Sequence, residues 1–455
     1  MDEDEEMTRE LVLDLLLEWE KTDAFSHHLI RQVLDKYDYL SSQEKSFMKR
    51  LAEGTLERQI ELDYVLGQFS TVPVKKMKPL IRNLLRMSVY QILYMDAVPD
   101  AAAVSEAVKL ANKRKFTNLK GFVNGVLRSI SKSKNQIAYP EKEKDVKTYL
   151  SVKYSTPMWL VEHWLLTYGE SQTETLLEGL LQIRPVTIRL KADLSLEERK
   201  EWICQVEKTG AKILKHPYLS NAFYLSDLEG VGNLPGYEEG YFVVQDVSSM
   251  LAVEAAGLQA GDKVIDLCAA PGGKTMYCAE KVGKDGFVES RDLTDFKVQQ
   301  IWENVERMGL ANVGATVWDA RVEDPALFQS ADVVIADLPC SGLGVIGKKR
   351  DIKYRMTKES MDSLVKLQKE ILTVAVKYVK EGGVLLYSTC TIHEKENQEM
   401  AKWIEKEFDF ELEDMTSYLP DLPNMETAKQ GFLQLLPGVH ETDGFFFARL
   451  RKKTS

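Results

Sequence analysis

Five places in the second half of the chain combine thiols, carboxylates and small residues in ways that suit covalent chemistry on a bound ligand. One is the turn Asp266-Leu267-Cys268-Ala269-Ala270-Pro271-Gly272-Gly273-Lys274-Thr275. Two are lone acids, Asp292 and Asp319. The last two are Ala336-Asp337-Leu338-Pro339-Cys340-Ser341-Gly342 and Tyr387-Ser388-Thr389-Cys390-Thr391. A cysteine on a loop, flanked by hydroxyls and an acid, is a better nucleophile than one packed in a core. Cys340 and Cys390 meet that description. Cys268, Cys278 and Cys204 read as packing residues, under the turn, on a helix and outside the sheet respectively.

The elements around these residues repeat as strand, turn and helix. Lys263-Val264-Ile265-Asp266-Leu267 reads as a strand, followed by the glycine turn and a helix from Thr275. Further strands are expected at 286–292, 314–317, 332–336 and 384–387, with a helix over 358–379 before the last. Such alternation predicts a parallel, doubly wound sheet whose ligand lies at the carboxyl ends of the strands. All five chemical stretches fall at those ends, with Cys340 and Cys390 expected on adjacent strands. The turn is no Walker A loop, because the position five before Gly273 is Cys268, and it is not GxGxxG. An acid after the second strand suits a ribose diol and one after the third an adenine amino group. Adenine and ribose with little phosphate point to S-adenosylmethionine.

The rest of the chain reads differently. The first 135 residues give apolar positions at helical spacing, such as Leu11, Leu15, Leu16 and Trp19, or Leu80, Leu84, Met87, Gln91 and Ile92, and predict a helical bundle. A polar stretch at 136–144 with Pro140 makes a linker. Strands at 186–190 and 241–244 flanking a helix at 196–208 suggest a small α/β region. The expected divisions are an all-α domain over 1–140, a small α/β subdomain over 141–238 and a Rossmann-like α/β domain over 239–455.

The chain has 455 residues, 28% of them charged, and a net charge of −11. Ordinary globular composition excludes a fibrous or largely disordered protein. The apolar runs are too short to span a bilayer, and the opening Met1-Asp2-Glu3-Asp4-Glu5-Glu6 is acidic where a targeting peptide is basic. Five scattered cysteines fit no disulfide framework, and six histidines offer no zinc spacing. A metal-free protein of the cytoplasm is expected. The acidic total hides two basic clusters. Lys109, Lys113, Arg114, Lys115, Lys120, Arg128, Lys132 and Lys134 occur between Ala107 and Pro140 with no acid, and Lys348, Lys349, Arg350, Lys353, Arg355 and Lys358 surround only Asp351. Two such clusters in an acidic chain favour a phosphate-backbone partner.

Taken together, the glycine turn, Asp-Leu-Pro-Cys-Ser-Gly-Leu-Gly from Asp337 and Tyr-Ser-Thr-Cys from Tyr387 resemble the signature set of the Sun/Nop2 family of RNA 5-methylcytosine methyltransferases. The helical region is similar to NusB-type RNA-binding domains, notably Ala103-Val104-Ser105-Glu106-Ala107-Val108 and Gly121-Phe122-Val123-Asn124-Gly125-Val126-Leu127-Arg128. With Gly240 to Asp246 and Asp443 to Arg449, this pairing resembles the branch of the family that acts on small-subunit ribosomal RNA. The resemblance covers nearly the whole chain. It implies that Ala269, Ala270, Pro271, Gly272, Gly273, Lys274, Asp292, Asp319 and Asp337 surround S-adenosylmethionine or the target base. It makes Cys390 the nucleophile, Cys340 an assistant in product release, and Asp337 a contact to the cytosine. Ribosomal RNA is the implied partner, bound by a monomer. One departure is Gly347, where the family's basic loop carries an arginine, so a bidentate contact is lost there.

The chemistry explains two thiols. Cytosine C5 is a poor nucleophile until a thiolate adds at C6, and the base must leave its stack to be reached. Two other readings stay open. The same reaction on transfer RNA or large-subunit RNA is disfavoured by the NusB-like region, which other branches lack. A non-enzymatic RNA-binding assembly factor with a decayed fold is disfavoured by intact Asp266, Gly272, Gly273, Asp337, Cys340 and Cys390.

Overall fold

The structure, a computed structural model, describes residues 3–228 and 230–454, with side chains from Met7 onward. The acidic opening, Met1 to Glu6, therefore lies outside the described side chains. The chain forms two compact units: Met1–Leu181 together with Ile346–Arg355, and Gln182–Val345 together with Met356–Ser455.

The first unit is all helix, as the apolar spacing predicts. Its major helices are Glu3–Lys21, Ser26–Lys36, Ser42–Glu57, Gln59–Phe69, Pro79–Tyr94, Asp100–Lys113 and Lys120–Ser133. Leu15, Leu16 and Trp19 share one core with Leu84, Met87 and Ile92. Ser41 starts the third helix with a reciprocal cap, its side chain accepting from Glu44 N–H while Glu44 accepts from Ser41 N–H. The helical unit runs past the expected boundary at 140. Helices Val146–Lys153 and Met158–Leu181 belong to it, because Ser155 Oγ accepts the otherwise unpaired Ile60 N–H at the start of the fourth helix, 2.9 Å away.

The second unit holds two sheets. Strands β1 (Val186–Leu190), β2 (Lys212–Lys215), β3 (Ala222–Ser226) and β4 (Phe242–Val244) form a small antiparallel sheet in the order β2-β3-β1-β4. It closes over its own core of Trp202, Leu225 and Phe242. Phe242 is fully buried beside Trp202 and Tyr237 and acts as core.

The larger sheet contains β5 (Lys263–Leu267), β6 (Phe287–Asp292), β7 (Val313–Val317), β8 (Ala331–Asp337), β9 (Val379–Thr389), β10 (Phe410–Leu412), β11 (Phe432–Leu435) and β12 (Phe445–Lys452), in the order β10-β12-β9-β8-β5-β6-β7 with β11 on β12. β5 to β9 are parallel to one another, the doubly wound core expected. The strand order reverses beside β5, which puts the switch point at the glycine turn. The antiparallel β10, β11 and β12 extend the β9 edge.

Candidate active site

The turn after β5 is built for close approach. Ala269 N–H donates to Arg291 O at 2.9 Å and Gly272 N–H to Ala269 O at 2.8 Å. Gly272 adopts φ +101°, which a side chain disfavours, and opens the helix Gly273–Val282. The cleft above it is lined by Gln245, Asp246, Ser249, Asp266, Cys268, Ala269, Ala270, Pro271, Gly273, Lys274 and Asp337. Asp266 is fully buried. Its Oδ2 accepts from Thr275 Oγ1 at 2.6 Å, while Oδ1 has no partner. Burial pushes its carboxyl up to about 7. Cys268 is pushed up to about 12 by burial and then by Asp292, Asp337 and Asp266, so its thiol keeps its proton.

Asp292 stands at the end of β6, behind the turn. Its Oδ2 accepts Ala270 N–H at 3.0 Å, and Oδ1 takes Leu293 N–H and Lys297 Nζ at 2.7 and 2.9 Å. Asp337, ending β8, accepts Lys274 Nζ at 2.7 Å on one oxygen and Ser388 Oγ at 2.9 Å on the other. Asp319 is set apart from this group: it does not line the cleft and pairs with Arg321 of its own loop, which holds its carboxyl below the ordinary range.

The two thiols meet. Because β8 and β9 are paired neighbours, with Asp337 opposite Ser388, the loops beyond them run side by side and bring Cys340 Sγ to 3.2 Å from Cys390 Sγ. Gly344 N–H donates to Cys390 O at 3.1 Å, and a Cβ at Gly344 would lie 1.9 Å from Gly444 O, so only glycine fits there. The Cys340 thiol is pushed well up by its hydrogen bond to Cys390, then by burial. Cys278 is buried on its helix and Cys204 exposed on another.

The cleft offers a cationic ligand an unpaired buried acceptor, Asp266 Oδ1, with further carboxylates at Asp246 and Asp337. These residues fit S-adenosylmethionine, whose sulfonium and ammonium both carry positive charge. Gln245, Asp246 and Ser249 were not singled out as ligand-lining from sequence. Their signal was the β4 motif ending Gln245-Asp246, where Asp246 caps the helix Val247–Ala256. Among the described residues, no group of three His, Cys, Asp or Glu is placed to hold a metal ion, and no helix is long and apolar enough to cross a membrane.

Within the helical unit, the basic clusters look less available than their sequence suggests. Lys109 pairs with Glu106, Lys113 with Glu10, Arg114 with Glu10 and Asp14, and Lys134 with Asp100. Lys115, Lys120, Arg128 and Lys132 are exposed. The second cluster divides: Lys348, Lys349 and Lys358 are exposed, whereas the other three basic residues make internal contacts. Arg350 pairs with Glu57, Lys353 is buried and donates to Glu57 O at 2.9 Å, and Arg355 donates to Trp19 O. Asp351 accepts from Trp19 Nε1, Ser26 N–H and Ser26 Oγ. At Gly347 a Cβ would sit 3.0 Å from Leu180 O, so the small residue relieves a tight backbone approach.

Known proteins match this architecture. The family described as 16S rRNA methyltransferase RsmB/F matches residues 254–451, and the NusB family matches residues 6–132. A probable ribosomal RNA small subunit methyltransferase B of Bacillus subtilis is 35% identical, covering 98% of each chain. Its namesake in Escherichia fergusonii is 30% identical, covering 91% of this chain and 92% of that one. The crystal structure of PH0851 superposes with a TM-score of 0.78 at 25% identity, covering 99% of this chain and all of that one. That of NSun6 from Pyrococcus horikoshii with SFG shares the fold at a TM-score of 0.56 and 22% identity, covering 65% of this chain and 97% of that one. With this coverage across both units, the chain belongs to the ribosomal RNA small subunit methyltransferase B family, the NusB-bearing branch of the S-adenosylmethionine-dependent ribosomal RNA (cytosine-C5)-methyltransferases.

Proposed function

We propose that this protein methylates C5 of one cytosine in small-subunit (16S) ribosomal RNA through a covalent cysteine adduct, acting as a cytoplasmic monomer. The observation that carries the mechanism is the 3.2 Å approach of two cysteine sulfurs beside Asp337. Five free cysteines agree with a reducing compartment. The small-subunit ribosomal RNA for which the relatives are named supplies the choice of RNA.

In this reading Ala269 to Lys274 and Asp292 shape the cofactor cleft, Asp292 by fixing the turn through Ala270 N–H. The Cys390 thiolate forms a bond to C6, which drives electron density to C5. C5 attacks the methyl carbon while the sulfonium–methyl bond breaks, its electron pair staying on sulfur as S-adenosylhomocysteine leaves. Asp337, steadied by Lys274 and Ser388, holds the N3/N4 edge as charge builds. Loss of the C5 proton to water at the Cys340 loop restores the ring and expels Cys390 as thiolate, with Cys340 assisting that release. The target cytosine is unstacked to enter.

Bisulfite sequencing of ribosomal RNA from a strain lacking the gene tests this directly. One small-subunit cytosine should lose its protection and regain it on complementation. A lost site in transfer RNA or large-subunit RNA, or none at all, would reject the assignment.

A further inference from the structure

Beneath the two cysteine loops the polar groups converge on Glu396, a fully buried carboxylate that the mechanism above does not use. One of its oxygens accepts Ser341 N–H at 2.9 Å and Gln368 Nε2 at 3.0 Å. The other accepts the Ser341 hydroxyl and lies 3.2 Å from His393 Nδ1. Gln368 Nε2 also donates to Pro339 O at 2.9 Å. Both residues flanking Cys340 are thus tied to one hub. The same Ser341 hydroxyl lies 2.7 Å from Thr391 Oγ1, on the residue after Cys390.

A buried carboxylate costs more than apolar packing would, even when paired. Structure alone is therefore a poor reason for one here. We propose that Glu396 is a positioning residue for methyl transfer: it registers the Cys340 loop against the Cys390 loop and sets its carboxylate beside the Cys340 thiol. The titratable groups acting on Cys340 are Cys390, Glu396 and Tyr387, with His393 beside Glu396. Glu396 is among the causes that push the Cys340 thiol up, after Cys390 and burial.

The inference rests on the cysteine mechanism, and the test separates the two. The full-length protein, S-adenosylmethionine and a transcript of small-subunit RNA are used throughout, with thermal melting and cofactor affinity as checks on folding. Glu396→Ala should lower kcat about tenfold or more with KM for RNA little changed, because misplaced reacting groups cost rate rather than binding. Glu396→Gln still accepts from Ser341 N–H and Gln368 and should recover most of kcat. Its acidic limb in the kcat–pH profile should move roughly one unit lower, since removing a nearby negative charge eases thiol ionisation. An unmoved limb, or a loss in Glu396→Ala no larger than its loss of folded protein, overturns the proposal. If neither Glu396 variant folds, Ser341→Ala decides: it cuts the tether between the loops, and wild-type kcat in that variant overturns the proposal, whereas a lowered kcat at unchanged KM supports it. Absence of any protein–RNA adduct from a Cys340→Ala chain with Glu396 intact would instead reject the cysteine mechanism itself.

Discussion

Asp337 and Ser388 face each other across the β8–β9 pairing, 2.9 Å apart between Oδ1 and Oγ. That one register fixes the separation of the two loops that follow, and so places Cys340 against Cys390 although they are fifty positions apart in sequence. A slip of one residue would turn alternate side chains to the opposite face of the sheet. The active thiols depend on strand register before any loop chemistry.

The asymmetry of the two thiols gives the first prediction. Cys390→Ala should abolish methyl transfer and any covalent protein–RNA species. Cys340→Ala should still allow attack and methylation but stall as an adduct that survives denaturing electrophoresis. An adduct trapped with Cys390→Ala and none with Cys340→Ala would reverse the roles. Full activity in both variants would leave two packed thiols with only a modest stability cost.

Removing Asp292 should weaken cofactor binding by loosening the turn. It accepts Ala270 N–H and two further donors, and a charge-assisted hydrogen bond is worth about 1.5–3 kcal/mol, so Asp292→Ala should raise the Kd for S-adenosylmethionine about tenfold or more. Calorimetric titration checks this; an unchanged Kd would mean that the turn Asp292 fixes does not hold the cofactor.

RNA affinity should depend on Lys120, Arg128 and Lys132. They are exposed, whereas Lys113 and Arg114 are engaged with Glu10 and their reversal would disturb helix packing. Replacing the three by alanine should flatten the salt dependence of RNA binding by about 0.7–0.9 per lost phosphate contact and leave cofactor affinity unchanged. An unaltered slope in filter binding would make them a solvated face.

Asp266 should give a pH signature. Its carboxyl is raised by burial from 3.8 to about 7, so between those values the folded state holds a proton the unfolded state has lost. Wild-type stability therefore falls as pH rises through that window. Asp266→Asn cannot ionise, so its melting temperature relative to wild type should climb from pH 4 to 7 and level off above. A difference independent of pH would mean the carboxyl titrates normally.

Lys353 should behave in the opposite sense. Burial lowers its ammonium from 10.5 to about 7, so the folded state binds fewer protons between those values and wild-type stability rises with pH across them. Lys353→Met removes the buried charge but strands the Glu57 carbonyl. Its melting temperature relative to wild type should be highest at pH 7 and below, and should decline toward pH 10. A constant offset would show only the lost hydrogen bond.

Local patterning was enough to give the helical bundle, the five parallel strands and the cysteine-bearing ends of β8 and β9. Those follow from apolar periodicity and turn chemistry, which act within a few residues. The resemblance of the motifs gave the reaction class. Charge was misjudged where it mattered spatially: the stretch from Ala107 to Pro140 has no acid of its own, yet Glu10, Asp14 and Asp100 reach it from other helices. The cluster at Lys348 to Arg355 likewise looked like a surface for phosphates, but folding turns Lys353 and Asp351 inward against Glu57, Trp19 and Ser26. Glu396 was silent because a glutamate between Lys395 and Asn397 looks solvated on paper. Its burial arises only when the loop after β8 and the helix Lys358–Tyr378 close over it and supply donors distant in sequence. Electrostatic partners are chosen by proximity in space, and proximity in space is what the tertiary fold decides.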